Sequence, residues 1–295
     1  MGFVTDPWAW WVQPFVDNPF MRTAWYAGLL AAVCTAVVGT WVVLRGLTFL
    51  GDALAHGVLP GIAIAFILGG DTTVGAFLAA LAMVGGISVV RHHSPLPDDT
   101  SIGVLFVGFL ALAVVIMSSD RAANTGDLNR FLFGSVTGVE DADLWRQGVA
   151  AALAVAGAIV FHRAFLVLTF DETLARVLGL RPRLAHGVLL VLVAVAIVAS
   201  FETVGNLLVF AFLVAPPATA TLLVRRVPLV MITAVALGAL AATIGVLVSY
   251  HHSTATGATM ALASVAIFFA TLVLTSVGRA LAPRVRGRTA RTAPA

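Results

Sequence analysis

Lysine is absent from this chain: all 17 of its basic residues are arginines, scattered along the segments between apolar runs. They form no basic face, so nucleic acid is excluded as a partner. Cysteine is almost absent too. The single Cys34 lies inside an apolar run, which removes a disulfide framework, a CxxC zinc knuckle and a thiolate cluster for copper, and leaves a small packing residue. Charge is scarce: 11% of residues are charged and 60% hydrophobic, against about 25% and 45–50% in soluble domains. An ordinary soluble enzyme is therefore excluded. Also missing are the GxxxxGK[ST] phosphate loop, HExxH and GxSxG, so neither ATP hydrolysis nor a familiar intramembrane hydrolase chemistry is encoded here. Any energy source is a gradient or another subunit.

What is present is apolar length. Runs of about 20 residues, enough to cross roughly 30 Å of hydrocarbon as a helix, fall at approximately 22–44, 54–69, 72–90, 102–118, 144–166, 183–201, 204–224, 228–249 and 257–278. With the C-terminus inside, alternation of these nine spans puts 13 arginines on the cytoplasmic side and leaves 4 outside, Arg22, Arg121, Arg130 and Arg146. The positive-inside rule thus supports nine helices with the N-terminus out and the C-terminus in. The fold class is an all-α polytopic membrane protein of the cell membrane.

Three segments frame the spans. Residues 1–20 contain Asp6, Asp17 and three tryptophans, Trp8, Trp10 and Trp11, but no arginine; they lack the positive start of a signal peptide and suit an interfacial aromatic anchor. The transmembrane domain is expected over 21–279, and an Arg-, Thr- and Pro-rich disordered tail over 280–295. An outer connection, about 119–143, surrounds the apolar FLFGSV with acidic residues and suggests a short surface helix. An inner one, about 167–182, reads LTFDETLARVLGLRPR. Asp171 and Glu172 open it, Leu174, Val177 and Leu178 recur at helical spacing, and Gly179 and Pro182 stop it: a short, capped, amphipathic cytoplasmic helix that either rests on the bilayer or docks a partner.

The densest chemistry is GDALAHGVLPG at 51–61. Asp52 and His56, four apart, share one helix face about a turn from each other, and a carboxylate with an imidazole at that spacing can hold a divalent ion. Gly57, Pro60 and Gly61 weaken the helix there, as happens where transporter helices break to line a route. An ionisable pair at the membrane end of a span is a pathway candidate; the alternative is an Asp52 that only caps the second helix beside a packed His56. Glu202 stands near the outer mouth, either receiving a cation or facing headgroups. Pro216 and Pro217 deprive the seventh span of two donors and should kink it. His251 and His252 follow Tyr250 at another outer end; as helix neighbours they point about 100° apart, so they meet one ion only where the helix has ended. His92 and His93 read as a solvated inner turn, His162 and His186 as interface residues. The LAHGVL of 54–59 recurs at 184–189, without the acidic partner, and reads as coincidence in so apolar a chain.

From about Phe20 to Arg279 the chain resembles the membrane permeases of zinc, manganese and iron ABC importers, of the type II import fold. GDALAHGVLPG is similar to that family's GDALSHAVLPG, the stretch from Gly205 to Ala220 to its glycine-to-PAATA segment, and DETLARVLGL to its ATPase-docking helix. APPATATL and LVSYHHSTATGAT bring the zinc-type subgroup nearest. The resemblance implies a homodimeric permease with the route at the subunit interface, a cytoplasmic ABC ATPase dimer and an extracytoplasmic metal-binding protein that delivers the ion. It puts Asp52 and His56 on the metal pathway and Glu172, Leu174, Arg176, Leu178 and Gly179 in ATPase coupling. Pro60, Gly61, Pro216 and Pro217 are the helix-break or gating candidates, and Glu202, His251 and His252 the outer contacts, these on their chemistry alone. Ser253 and Ala255 stand where the family often shows Asp and Pro, which leaves the outer gate open.

The leading expectation is therefore a permease, not itself an enzyme, for ATP-driven import of a divalent transition metal. Zinc comes first because imidazole suits it, and manganese or iron second. No permanently bound cofactor is expected. Two other readings stand: an ATP-independent secondary cation transporter whose carboxylates and histidines titrate, and a permease for a metal chelate with a wide route indifferent to Asp52.

Overall fold

The computed structural model describes residues 7–95, 97–118 and 139–281. Lipid offers the backbone no hydrogen bonds, so a spanning segment must satisfy its own as helix, and the described residues contain helices and no strand. In order these are α1 (Pro7–Trp11), α2 (Gln13–Asp17), α3 (Pro19–Leu44), α4 (Thr48–Gly57), α5 (Leu59–Ile67), α6 (Thr72–His93), α7 (Asp98–Met117), α8 (Asp141–Val160), α9 (His162–Phe170), α10 (Glu172–Val177), α11 (Pro182–Val204), α12 (Asn206–Leu223), α13 (Val227–His252) and α14 (Thr256–Leu281). Nine spans long and apolar enough to cross a membrane are found among the described residues, α4 and α5 together making one of them. Most of the outer connection and nearly all of the C-terminal tail, 119–138 and 282–295, lie outside the described residues.

Two span edges differ from the sequence reading. The second span starts at Thr48, because the helix runs back through Gly51 and Asp52 instead of being capped by them; Leu47 occupies the cap position. The fifth ends at Val160, where Phe161 separates α8 from α9. Caps are otherwise as the chemistry asks. Asp71 accepts N–H bonds from Thr73 at 2.8 Å and Val74 at 3.3 Å at the start of α6. The Thr73 bonds, with Arg146 contributing by charge, hold its carboxyl below the usual carboxylate range.

The bundle is organised around α3, which packs on α8, α11, α12 and α13. Its buried face is made of small residues, including Ala24, Ala27, Gly28, Ala31, Ala32, Cys34 and Ala36. Without a hydrophobic drive between helices in lipid, such residues favour association by letting backbones come close. Trp41 closes the arginine-rich end of this core, edge-on to Phe165 at 5.5 Å. Buried threonines return their hydroxyls to the preceding turn, as Thr35 does to Ala31 O at 2.7 Å and Thr219 to Ala215 O at 2.7 Å. Helices α7 and α14 turn long apolar side chains outward, among them Val107, Val115, Phe269 and Leu274. In water this would be an exposed patch; in a bilayer it is the lipid-facing or partner-facing surface.

Two close approaches set the positions of the helices that matter. Gly57, Gly61 and Ala65 recur every four residues on α4 and α5 and lie against Met83, Ala79 and Gly75 on α6; a Cβ on Gly61 would strike the Gly75 carbonyl, and one on Gly75 the Gly61 carbonyl. The helix interruption falls at Val58, and Pro60 occupies the first turn of α5, where its missing N–H costs little. Gly61, expected only to loosen the helix, is thus a packing residue. Gly61→Val should cost about 3 kcal/mol by overpacking, read as a lower melting temperature in detergent, whereas Gly85→Val, which meets open space, should leave it near wild type. The second approach joins α3 to α12. α12 continues as a helix through Pro216 and Pro217, and Pro217 withholds the N–H that the Leu213 carbonyl would otherwise accept. That same carbonyl faces Gly39, where any Cβ would overlap it.

Candidate functional site

Asp52 and His56 sit in the interior of α4, one turn apart, with Asp52 Oδ1 3.6 Å from His56 Nε2. The other face of α4, carrying Leu50, Gly51, Ala53, Leu54, Ala55 and Gly57, is buried, so the pair is turned away from the packed core. Their side chains are 34% and 30% exposed. A half-open carboxylate within a membrane span requires a polar route or a covering subunit, because hydrocarbon would disfavour it by about 2.5–3.5 kcal/mol.

A third polar group reaches the pair from far along the chain. Gly205 separates α11 from α12 with φ 80° and ψ 160°, a region open essentially to glycine alone. The break places Asn206 at the first position of α12, where its amide Nδ2 lies 3.4 Å from both His56 nitrogens. Asn206 is 7% exposed, and its Oδ1 is buried with no hydrogen-bond partner. Flipping the amide would bring that oxygen to the imidazole of His56. Phe106 of α7 closes one side, its ring 5.9 Å from that of His56.

The chemistry of this arrangement is that of a light grip on a cation. Two metal–ligand bonds of about 2.1 Å would bridge the gap between Oδ1 and Nε2 at an angle of about 120°. Among the described residues no three of His, Cys, Asp and Glu come together, so the site offers one carboxylate and one imidazole, and the third group is an amide. Asn206 escaped the sequence reading; its one signal was an amide directly after glycine inside an apolar run.

The remaining candidates lie elsewhere. His251 is stacked on Trp10, ring centres 4.4 Å apart and planes at 14°, and its Nε2 lies 3.2 Å from the Trp10 carbonyl. Asn18 donates to Tyr250 Oη at 3.2 Å. The structure therefore engages this end of α13 with the N-terminal helices, and brings neither His251 nor the exposed His252 to Asp52. Glu202 is in the last turn of α11; its side chain, like that of Glu172, lies outside the described residues. Helix α10 is capped at both ends: Asp171 accepts from Leu174 N at 2.9 Å, while Leu180 N donates to Ala175 O at 3.0 Å and Gly179 N to Arg176 O at 3.1 Å across a left-handed Gly179 with φ 70°. That double bond is the Schellman closure, and it shapes 171–180 as a rigid knob.

Comparison with known proteins matches this architecture throughout. The profile of the ABC 3 transport family covers residues 17–275. The "Manganese transport system membrane protein MntC" of Listeria innocua is 36% identical over 258 residues, 88% of this chain and 91% of the relative. The "Manganese import system permease protein ScaB" of Streptococcus gordonii is 31% identical over 275 residues, 93% and 98% of the two chains. Among solved structures, "PsaBC from Streptococcus pneumoniae in complex with Fab" superposes with a TM-score of 0.79 at 29% identity, covering 90% of this chain and 95% of that one. With nine apolar spans among the described residues and relatives named as membrane components of metal transport systems, the chain is a multi-pass protein of the cell membrane and belongs to the ABC 3 transport family.

Proposed function

We propose that this chain is the membrane-spanning permease subunit of an ATP-driven importer of a divalent first-row transition metal, with Mn²⁺ ahead of Zn²⁺ and Fe²⁺ as its cargo. The observation that carries the reading is the Asp52–His56 pair, half open inside a span, with the Asn206 amide against it. A carboxylate oxygen, an amide oxygen and one imidazole make an oxygen-rich set that suits manganese better than the histidine-rich set expected for zinc. The relatives named for manganese point the same way.

A second copy of the chain would cover the open face of α4 and turn it into an enclosed route. The arginine-rich end is the cytoplasmic one, where α10 meets a separate ATPase dimer, and an extracytoplasmic binding protein hands the ion to the opposite end. One carboxylate and one imidazole hold the ion briefly and release it; a closed shell of four ligands would retain it.

The test is elemental mass spectrometry on cells lacking this permease. Selective loss of manganese, restored by the wild-type chain, is the expected result. Loss of zinc alone would move the cargo to Zn²⁺, and unchanged content of all three metals would remove the metal reading. Asn206→Ala should lower metal uptake by about 10- to 100-fold, the range for groups that orient a ligand, while Asn206→Asp should retain more uptake than Asn206→Ala at equal expression.

A further inference from the structure

The donors at Asp52 leave one competing ion unopposed. Carboxylate and amide oxygens suit Mg²⁺ as well as Mn²⁺, so the chemistry that favours manganese over zinc does not by itself exclude magnesium. The two ions differ in how they hold water. Mg²⁺ demands near-ideal octahedral geometry and gives up its waters reluctantly, whereas a first-row transition ion accepts an imidazole nitrogen in place of one. A site can therefore separate them by what its walls offer to bound water.

One wall here is aromatic. Phe49, Asp52 and His56 follow one another at spacings of three and four on α4, so they share a face. Across from them the Phe106 ring of α7 lies 5.7 Å from the ring of Phe49 and 5.9 Å from that of His56, with interplanar angles of 78° and 61°. A ring so close to both residues that flank Asp52 on its own face stands beside the turn that carries the carboxylate. The pattern of α7 puts it there. Phe106 shares its helix face with Ile102 and Ala113, both buried, while Val104 and Val107 are turned outward. Gly103, one turn before Phe106, lets α7 come up to Phe49, whose ring would be 3.9 Å from a Cβ at that position. Phe106 itself is half-buried, packed against the edge of the core instead of filling it.

We infer that Phe106 is a specificity-determining residue of the proposed metal route, a dry wall beside Asp52 that discriminates against Mg²⁺. The inference rests on the Asp52–His56–Asn206 reading above. Water bound to a cation points its protons outward, and a phenyl ring gives them no acceptor of ordinary strength. An ion that keeps its full shell has to leave such a donor unsatisfied against Phe106, which is costly. An ion that exchanges water for the His56 nitrogen turns fewer protons to the wall. Discrimination then comes from what is withheld from the wrong ion as much as from what is given to the right one.

The experiment titrates the purified full-length chain in detergent with Mn²⁺, followed by the electron paramagnetic resonance of the free ion, and then displaces it with Mg²⁺. The quantity read is the ratio of Mg²⁺ to Mn²⁺ dissociation constants. Phe106→Asn, which gives the waters a partner, should lower that ratio at least about fivefold, the effect of one hydrogen bond regained. Phe106→Leu, which restores an apolar wall, should return it toward the wild-type value. If Phe106→Asn does not fold, Phe106→Ala gives the reading, because the space it opens admits water beside the ion. An unchanged ratio in Phe106→Asn or Phe106→Ala overturns the inference, and so does a loss of both affinities by the same factor, which is what a purely structural side chain would produce. Wild-type chain that binds no Mn²⁺, or Asp52→Asn that binds it as well as wild type, would instead overturn the metal pair on which the inference stands.

Discussion

Asp52→Ala is expected to reduce manganese uptake to the level of cells lacking the permease, with the protein still present in the membrane. Asp52 supplies the only formal negative charge at the site among the described side chains, and a divalent cation entering a span has to be stabilised by charge or return to water. An imidazole and an amide coordinate a metal as uncharged ligands, so His56 and Asn206 cannot compensate two positive charges. Asp52→Asn is the sharper variant: it keeps the size and one oxygen and removes the charge. Because the side chain is 34% exposed and bonds no core group, neither change should disturb the bundle. Uptake retained by Asp52→Asn would show that the carboxylate only shapes the helix, and full rescue by both Asp52→Ala and His56→Ala would take the pair off the pathway.

The other large effect is expected at α10. Leu174, inside a helix of six residues, and Leu178, at its C-cap, are 46% and 47% exposed, on a turn that a carboxylate cap and a left-handed glycine close at its two ends. Burying the exposed half of each against a partner would contribute about 1 kcal/mol, and an aspartate in its place would bring an unpaired charge into the contact. Leu174→Asp with Leu178→Asp should therefore abolish co-purification of the ATPase and with it ATP-dependent uptake, while the permease alone keeps its melting temperature, because both side chains are already partly outside its core. An assembled and active transporter carrying both substitutions would remove α10 from the coupling interface, whereas uptake that persists with no ATPase bound would bring back the ATP-independent reading.

How much of this was legible depends on the range over which each residue acts. The nine spans follow from runs of apolar residues, and the Asp52–His56 pair from a spacing of four, both local properties. α10 was readable for the same reason, its cap, face and stop lying within ten residues. Asn206 was not, because it meets His56 across a separation of 150 residues, brought there by a break at Gly205 in a conformation open to glycine. Gly57 and Gly61 show another limit. Local chemistry reads glycine in a helix as weakness, yet here it is what lets α6 come close, and that depends on Gly75 and Ala79 of the facing helix. His251 was open to several readings until the fold brought Trp10 onto its ring.

The break at Gly205 also makes α12 a lever with unequal arms. Its 18 residues extend about 27 Å from the pivot, so a tilt of about 5° would sweep the far end through about 2 Å while displacing Asn206 by only a few tenths of an ångström. Asn206, the amide proposed to face the ion, is placed where leverage is least, and Leu223 where it is greatest. A push delivered at the arginine-rich end could thus reshape the inner half of the route while the grip on the ion stays in register, so that opening and letting go become separable events.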